Sequence, residues 1–133
     1  LMVCDAVQGF GRMTIPNGPD LIAACAHKLH GPKMIGALWV RSGLRIEPFI
    51  HGGGQQSRLR SGTLSPMLCA GFGAAARLAA ERREEDARHV EQLWAAGTEA
   101  LGPDWIVNGS TETRYRGNLN IRREALDAAR LLS

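Results

Sequence analysis

The sequence predicts an α/β fold, with part of a mostly parallel sheet followed by a long helix and then by the start of a smaller α+β unit. Three observations carry this. Residues 1–4, 21–26 and 35–40 are short apolar runs that do not alternate with polar residues, as strands covered on both faces read. Ser65-Pro66 opens a helical pattern with apolar positions at Leu68, Phe72, Ala75, Ala76 and Ala79, and Gly102-Pro103 closes it. Beyond it, Trp105-Ile106-Val107 and Asn118-Leu119-Asn120-Ile121-Arg122 read as two strands, the second alternating as a half-exposed strand does.

The first run ends at Asp5. In open α/β sheets the carboxyl ends of the strands form the ligand edge, so a carboxylate there is a candidate contact, and equally a cap for the turn that follows. The glycine-punctuated loop Ala6-Val7-Gln8-Gly9-Phe10-Gly11 comes next, and Pro16-Asn17-Gly18-Pro19 turns the chain into the second run. That run leads into Cys25-Ala26-His27-Lys28-Leu29-His30-Gly31-Pro32-Lys33, which sets two imidazoles and an amine between apolar stretches. An amine partly withdrawn from water loses its proton more easily and can attack a carbonyl to form a Schiff base, so Lys28 is the leading chemical candidate. The plainer alternative is a solvated lysine at a strand end beside an ordinary Gly-Pro turn.

The third run ends in Arg41, and residues 44–50 read as a further extended piece. His51-Gly52-Gly53-Gly54 then begins a flexible loop that reaches Arg60-Ser61-Gly62-Thr63. Its glycines allow close backbone approach to a ligand or a neighbouring subunit, but no Gly-Lys-Ser/Thr follows, so it is not a Walker loop. In the helix, Ala70, Gly71, Gly73 and Ala74 make a small-residue stretch suited to close packing, residues 81–88 a charged solvated surface, and a break is expected near Gly97. Residues 124–132 open another helix. The first unit is expected to span residues 1–86 and the second 87–133.

At 133 residues the chain is long enough for one modest core. The net charge of +3, the dispersed arginines and an aromatic content of 5% argue against a nucleic-acid surface. The three cysteines, Cys4, Cys25 and Cys69, are odd in number and lie in or beside apolar stretches, which fits reduced thiols in a cytoplasmic protein better than disulfides. No run approaches membrane-spanning length, and no membrane partner is expected. Cys25, His27, His30 and His51 lack a recognisable zinc spacing, so no metal site is expected either. Because the chain opens inside an apolar run and closes inside a helical pattern, it reads as an internal segment of a larger protein.

Asp5, Gln8, His27, Lys28 and Thr63 together supply what an aldehyde cofactor with a basic ring nitrogen and a phosphate needs: an amine, a carboxylate and hydrogen-bonding groups. Asp5-Ala6-Val7-Gln8, Ala26-His27-Lys28-Leu29-His30-Gly31-Pro32-Lys33, Ile35-Gly36-Ala37-Leu38, His51-Gly52-Gly53-Gly54 and Arg60-Ser61-Gly62-Thr63, in this order and at these separations, resemble the cysteine desulfurases. These are pyridoxal-phosphate enzymes of the class V aminotransferase superfamily. The resemblance is dense over residues 1 to about 70 and looser beyond. It implies a PLP-transferase type I fold, with residues 1–86 forming the C-terminal part of the cofactor-binding large domain and the connecting helix, and 87–133 the beginning of the small domain.

The resemblance further implies that Lys28 holds the cofactor aldehyde and moves the substrate's α-proton, that Asp5 pairs with the ring nitrogen, and that Gln8 bonds the phenolic oxygen. It implies that His27 reaches the phosphate and that Thr63 reaches the phosphate of the partner subunit in a homodimer. Cys25 stands where the family usually has a serine that donates to the phosphate; a thiol there is a weaker donor. Met34 stands where glycine is common. The implied substrate is L-cysteine, with alanine released and the sulfur passed as a persulfide to an acceptor such as an iron-sulfur scaffold protein. The family's sulfur-accepting cysteine and substrate-carboxylate arginine fall downstream of this segment, and none of Cys4, Cys25 and Cys69 occupies that cysteine's position. The isolated chain is therefore expected to be inactive. The alternative is another class V enzyme, such as a selenocysteine lyase or an aminotransferase.

Overall fold

Val3-Cys4-Asp5 and Leu21-Ile22-Ala23-Ala24-Cys25 pair side by side as parallel strands in the computed structural model, which describes residues 1–15 and 17–129. β1 (Val3–Asp5) and β2 (Leu21–Cys25) run in register from Val3 opposite Leu21 to Asp5 opposite Ala23. A parallel pair needs a crossover of about a dozen residues or more, and residues 6–20 supply it as a looped connection. β3 (Gly36–Val40) returns antiparallel to β2, with Cys25 opposite Gly36 and Leu21 opposite Val40. The sheet order is β1-β2-β3, so both edges of β2 are paired and its carboxyl end is held on two sides.

The chain divides into two units, Leu1–Arg83 and Glu84–Ser133. A single helix, α1 (Pro66–Leu101), contributes to each. Proline occupies its first turn, where a missing N–H costs nothing, and the Ser65 carbonyl accepts the first i+4 bond from the Cys69 N–H at 3.1 Å. In the first unit, α1 packs through small residues. A Cβ built on Gly71 would lie 3.0 Å from the Pro32 ring, and Ala75 Cβ lies 3.0 Å from the position a Cβ would take on Gly31. Ala79 Cβ stands 3.1 Å from the corresponding position on Gly11. Gly71, Ala75 and Ala79 recur every four residues, so they form one stripe, and Phe72 beside it meets Phe10 edge to face at 6.5 Å. Gly73, by contrast, faces open space.

The expectation that the three apolar runs are buried on both faces fails. Ala6, Ala24, Ala26, Leu29 and Ala75 form the buried core, while Val3, Leu38 and Trp39 are more than half exposed. The physical reason is the placement of α1, whose stripe covers the turns after β1 and β2 rather than the strand faces. A non-alternating run records that both faces are apolar, and it does not say that their cover lies in the same stretch of chain. Residues 44–50 form bends and irregular backbone instead of a strand. The helix passes through Gly97 unbroken and stops at Leu101, followed by Gly102 in the left-handed region at φ 72°.

In the second unit, β4 (Ile106–Val107) and β5 (Ile121–Arg122) pair antiparallel, shorter than the alternation predicts. Trp94 on α1 is faced by the Arg114 guanidinium, 4.7 Å from its ring centre, and Arg116 bridges to Glu91 at 2.8 Å. Glu124 and Ala125 form a turn, with Ala125 at φ 58°, and the part of the expected 124–132 helix beyond residue 129 lies outside the described residues.

The start of the sheet is held by Asp20. Its Oδ2 accepts the Met2 N–H at 2.7 Å, its Oδ1 accepts Arg41 Nε–H at 2.7 Å, and its carbonyl accepts the Arg41 N–H at 2.9 Å. One residue thus ties the approach to β1, the start of β2 and the end of β3. The Met2 N–H, and after it the Arg41 guanidinium, hold the carboxyl below its ordinary range. A depressed folded-state value stabilises the fold fully above the unfolded range, near pH 4, and that stabilisation is lost as pH falls through the lower folded value. Asp20→Asn should therefore lower stability at neutral pH and flatten the decline below about pH 4, as unfolding followed across pH would record. A second comparison probes the packing stripe. Gly71→Val should destabilise by about 1–3 kcal/mol through overpacking against Pro32, while Gly73→Ala should stabilise by up to about 1 kcal/mol through helix propensity; urea midpoints of the two variants check both signs.

Candidate active site

Lys28 is carried at the centre of a 3-10 turn, His27–Leu29, that begins one residue after β2. Ala26, fully buried, anchors this turn: its N–H donates to the Ile35 carbonyl at 3.2 Å, and its own carbonyl accepts from Leu29 at 2.8 Å and Gly31 at 3.0 Å. His30 adopts the left-handed conformation that ends the turn, at φ 61°. Leu29 points into the core, so Lys28 beside it emerges half-buried at the surface. Its amine makes no hydrogen bond or ion pair among the described residues, which leaves it available to a ligand.

Asp5 ends β1 on the same sheet edge at which Cys25 ends β2, because the two strands are parallel. Its Oδ1 accepts the Val7 N–H at 3.0 Å, so the carboxylate does cap the following turn; the same bond orients it and leaves Oδ2 uncommitted among the described residues. Gln8, one residue further, is exposed, and its amide has no hydrogen-bond partner among the described residues. The loop that carries Gln8 is wound into two turns by Gly9 and Phe10 N–H bonds to the Ala6 carbonyl and by Arg12 and Met13 N–H bonds to the Gly9 carbonyl. Its end presses on the Lys28 turn. Gly11, at φ 78°, passes so close to Leu29 that a Cβ would lie 2.6 Å from Leu29 Cδ2, and Arg12 Nη2 donates to the Lys28 carbonyl at 2.9 Å. Cys25 Sγ and His27 Nε2 approach to 3.9 Å, a thiol and an imidazole on one side of the turn.

Thr63 stands apart from this group. It is exposed on the loop that follows the glycine triplet and makes no hydrogen bond with Asp5, Gln8, Cys25, His27 or Lys28. The loop is nevertheless ordered by its own bonds. Gln55 Oε1 accepts the Gly62 N–H at 3.1 Å, the Ser61 N–H donates to the Ile50 carbonyl at 3.1 Å, and Arg60 Nη1 donates to the Ser61 carbonyl at 2.9 Å. Gln56, Ser57 and Arg58 are held in succession at φ 49°, 55° and 64°, which for residues with a Cβ costs roughly 1–2 kcal/mol each. An open concavity of about 570 Å³ lies here, lined by His51, the three glycines, Arg58 and Ser61 among others. His51 joins no cluster of three or more metal-ligating side chains with Cys25, His27 and His30 among the described residues.

Five of the six residues singled out from the sequence therefore come from the carboxyl ends of β1 and β2 and the turns that follow them. Arg12 and Gly11 were missed. The only trace of them in the sequence is that the loop after Gln8 ends in glycine and a basic residue, which by itself points to no partner.

The family described as Aminotransferase class-V matches residues 1–131. Cysteine desulfurase IscS of Rickettsia bellii is 42% identical over 125 residues, 88% of this chain and 30% of that protein. A probable mitochondrial cysteine desulfurase of Schizosaccharomyces pombe is 41% identical over 135 residues, 96% of this chain and 27% of that protein. Among solved structures, a NifS-like protein from Rickettsia africae superimposes with a TM-score of 0.87 at 31% identity, over 96% of this chain and 37% of that one. DndA from Streptomyces lividans does so with 0.84 at 30% identity, over 98% and 39%. The chain spans less than a third of the length of these curated relatives, and over that length it shares the α/β fold of the NifS-like proteins. On sequence and on fold together, this chain belongs to the class V aminotransferase family.

Proposed function

We propose that this chain is the lysine-bearing part of a pyridoxal-phosphate-dependent cysteine desulfurase that converts L-cysteine to L-alanine and passes the sulfur, as a persulfide, to an acceptor for iron-sulfur cluster or other thio-cofactor synthesis. The observation that carries the reading is half-buried Lys28, its amine unpaired among the described residues, at the carboxyl edge of a parallel pair whose other strand ends in an oriented carboxylate, Asp5. Relatives that bear the name cysteine desulfurase support the choice of substrate.

The donor set fits the cofactor. Lys28 Nζ would hold the aldehyde, the Asp5 carboxylate would accept the ring N–H, the Gln8 amide would serve the phenolic oxygen, and Cys25 and His27 would serve the phosphate. When bound, pyridoxal phosphate supplies a carbonyl carbon for amines and a ring that draws electrons from the substrate's α-carbon. The Asp5 carboxylate would be the acceptor for the ring N–H, which favours the protonated, electron-drawing ring. With the cofactor bound, the Lys28 Nζ would be the base that takes the substrate's α-proton and could return a proton later. Cys25 and His27 would hold the phosphate end and so help to orient the aldehyde end toward Lys28.

Residues 1–86 act in this reading as the C-terminal part of the cofactor-binding large domain with its connecting helix, and 87–133 as the start of the small domain. The protein works as a homodimer, in which Thr63 on its ordered loop serves the phosphate of the partner subunit. The persulfide cysteine and the arginine for the substrate carboxylate lie in other parts of the same protein. Among the described residues no helix is long and apolar enough to cross a membrane. Cytoplasm or an organelle matrix both suit the reaction, and the curated relatives include mitochondrial forms.

In the full-length protein, Lys28→Ala should lower sulfide and alanine release from L-cysteine by at least about a hundredfold, measured at saturating cofactor. Turnover within threefold of the unmodified protein would remove Lys28 from the chemistry. Cys25→Ser should tighten pyridoxal phosphate by about three- to tenfold, because a hydroxyl donates better than a thiol; equilibrium dialysis of the apoprotein checks it, and unchanged affinity would place Cys25 outside the phosphate site.

A further inference from the structure

We infer that Arg12 is a positioning residue for Lys28, acting through the lysine's own backbone carbonyl; this rests on the proposed role of the Lys28 amine. The 3-10 turn is short, and its backbone bonds converge on a single acceptor. Leu29 and Gly31 both donate to the Ala26 carbonyl, while the Lys28 carbonyl is taken from outside the turn by Arg12 Nη2, 2.9 Å away and 16 residues earlier in the chain. The bond is partly buried and its donor is charged, which makes it stronger and less easily exchanged for water than a neutral surface contact.

A carbonyl held in this way fixes the plane of the Lys28–Leu29 peptide, and with it the direction in which the lysine side chain leaves the backbone. A tilt of roughly 10° would swing an amine about 6 Å from its Cα by about 1 Å, a displacement large enough to matter for bond formation. A second contact reinforces the first. Gly11, beside Arg12, meets Leu29 so closely that no side chain fits between them, so the same loop clamps two adjacent residues of the turn. That loop begins at Asp5 and carries Gln8. Arg12 therefore joins the part of the site that would hold the ring to the part that holds the aldehyde, and sets the spacing between them.

The test uses the full-length protein with pyridoxal phosphate bound and compares Arg12→Met, which keeps the apolar stem and loses every donor, with Arg12→Lys, which keeps a charged donor. Visible absorption of the lysine-bound cofactor is followed across pH, together with kcat and KM for L-cysteine and with thermal unfolding. Arg12→Met should move the pH midpoint of the absorption change by about half a unit or more and lower kcat about tenfold or more with KM within about twofold. Arg12→Lys should recover most of both. An unchanged midpoint in Arg12→Met overturns the inference, even if stability and activity fall together, because a merely structural bond would act that way. Lys28→Ala separates the two levels of the reading. If it retains the pH-dependent band, the assignment of Lys28 itself fails; if it loses the band while Arg12→Met matches the unmodified protein, only the role of Arg12 fails.

Discussion

The closeness with which backbones pass one another around the Lys28 turn is the constraint on which the rest of the first unit depends. Gly11, Gly31 and Gly71 each sit where a Cβ would meet another atom at or within about 3 Å: Leu29 for the first, Ala26 and Ala75 for the second, Pro32 for the third. Ala26, with no exposed surface, lies at the centre of these contacts. Among the described residues the buried core is accordingly alanine at every position but Leu29, and it depends on close backbone approach. Such a seam tolerates little change in volume, and that intolerance holds the turn that carries Lys28 in place.

Rigidity is distributed unevenly in a way that suits the chemistry. Strand ends and the turns clamped to them carry Asp5, Cys25, His27 and Lys28, the residues proposed to hold the cofactor. Thr63 instead rides on a loop tied mainly to itself, through Gln55, Ser61 and Arg60. A loop tied in that way keeps its own shape. At the opposite end of the sheet, Asp20 collects a backbone N–H and a guanidinium, so the strands are registered there without involving the site.

Much of this was legible in the sequence. Asp5 and Lys28 stood out because each follows an apolar run, and the parallel pairing of β1 and β2 brings those run ends to one edge, whereas Gln8 was given its role only through the resemblance. Pro66 and Gly102 bracketed the helix correctly because they act through local backbone rules, independent of what the helix touches. Burial was not legible. The runs at residues 1–4 and 35–40 are apolar on both faces, yet the sequence pattern carries no information about which distant element covers them. The expected break at Gly97 failed for a related reason: helix propensity disfavours glycine by about 1 kcal/mol, too little to stop a helix of 36 residues. Arg12 was invisible because its partner is a backbone carbonyl, and a carbonyl has no residue type to recognise.

The central claim is that the Lys28 amine forms the covalent link to pyridoxal phosphate, and peptide mapping after chemical reduction tests it most directly. The full-length protein, loaded with the cofactor and treated with borohydride, should yield one stably modified peptide, the one that contains His27-Lys28-Leu29, with the added mass on Lys28. Modification on Lys33 with Lys28 untouched, or no retained cofactor mass after reduction of a protein that binds it, would contradict the account.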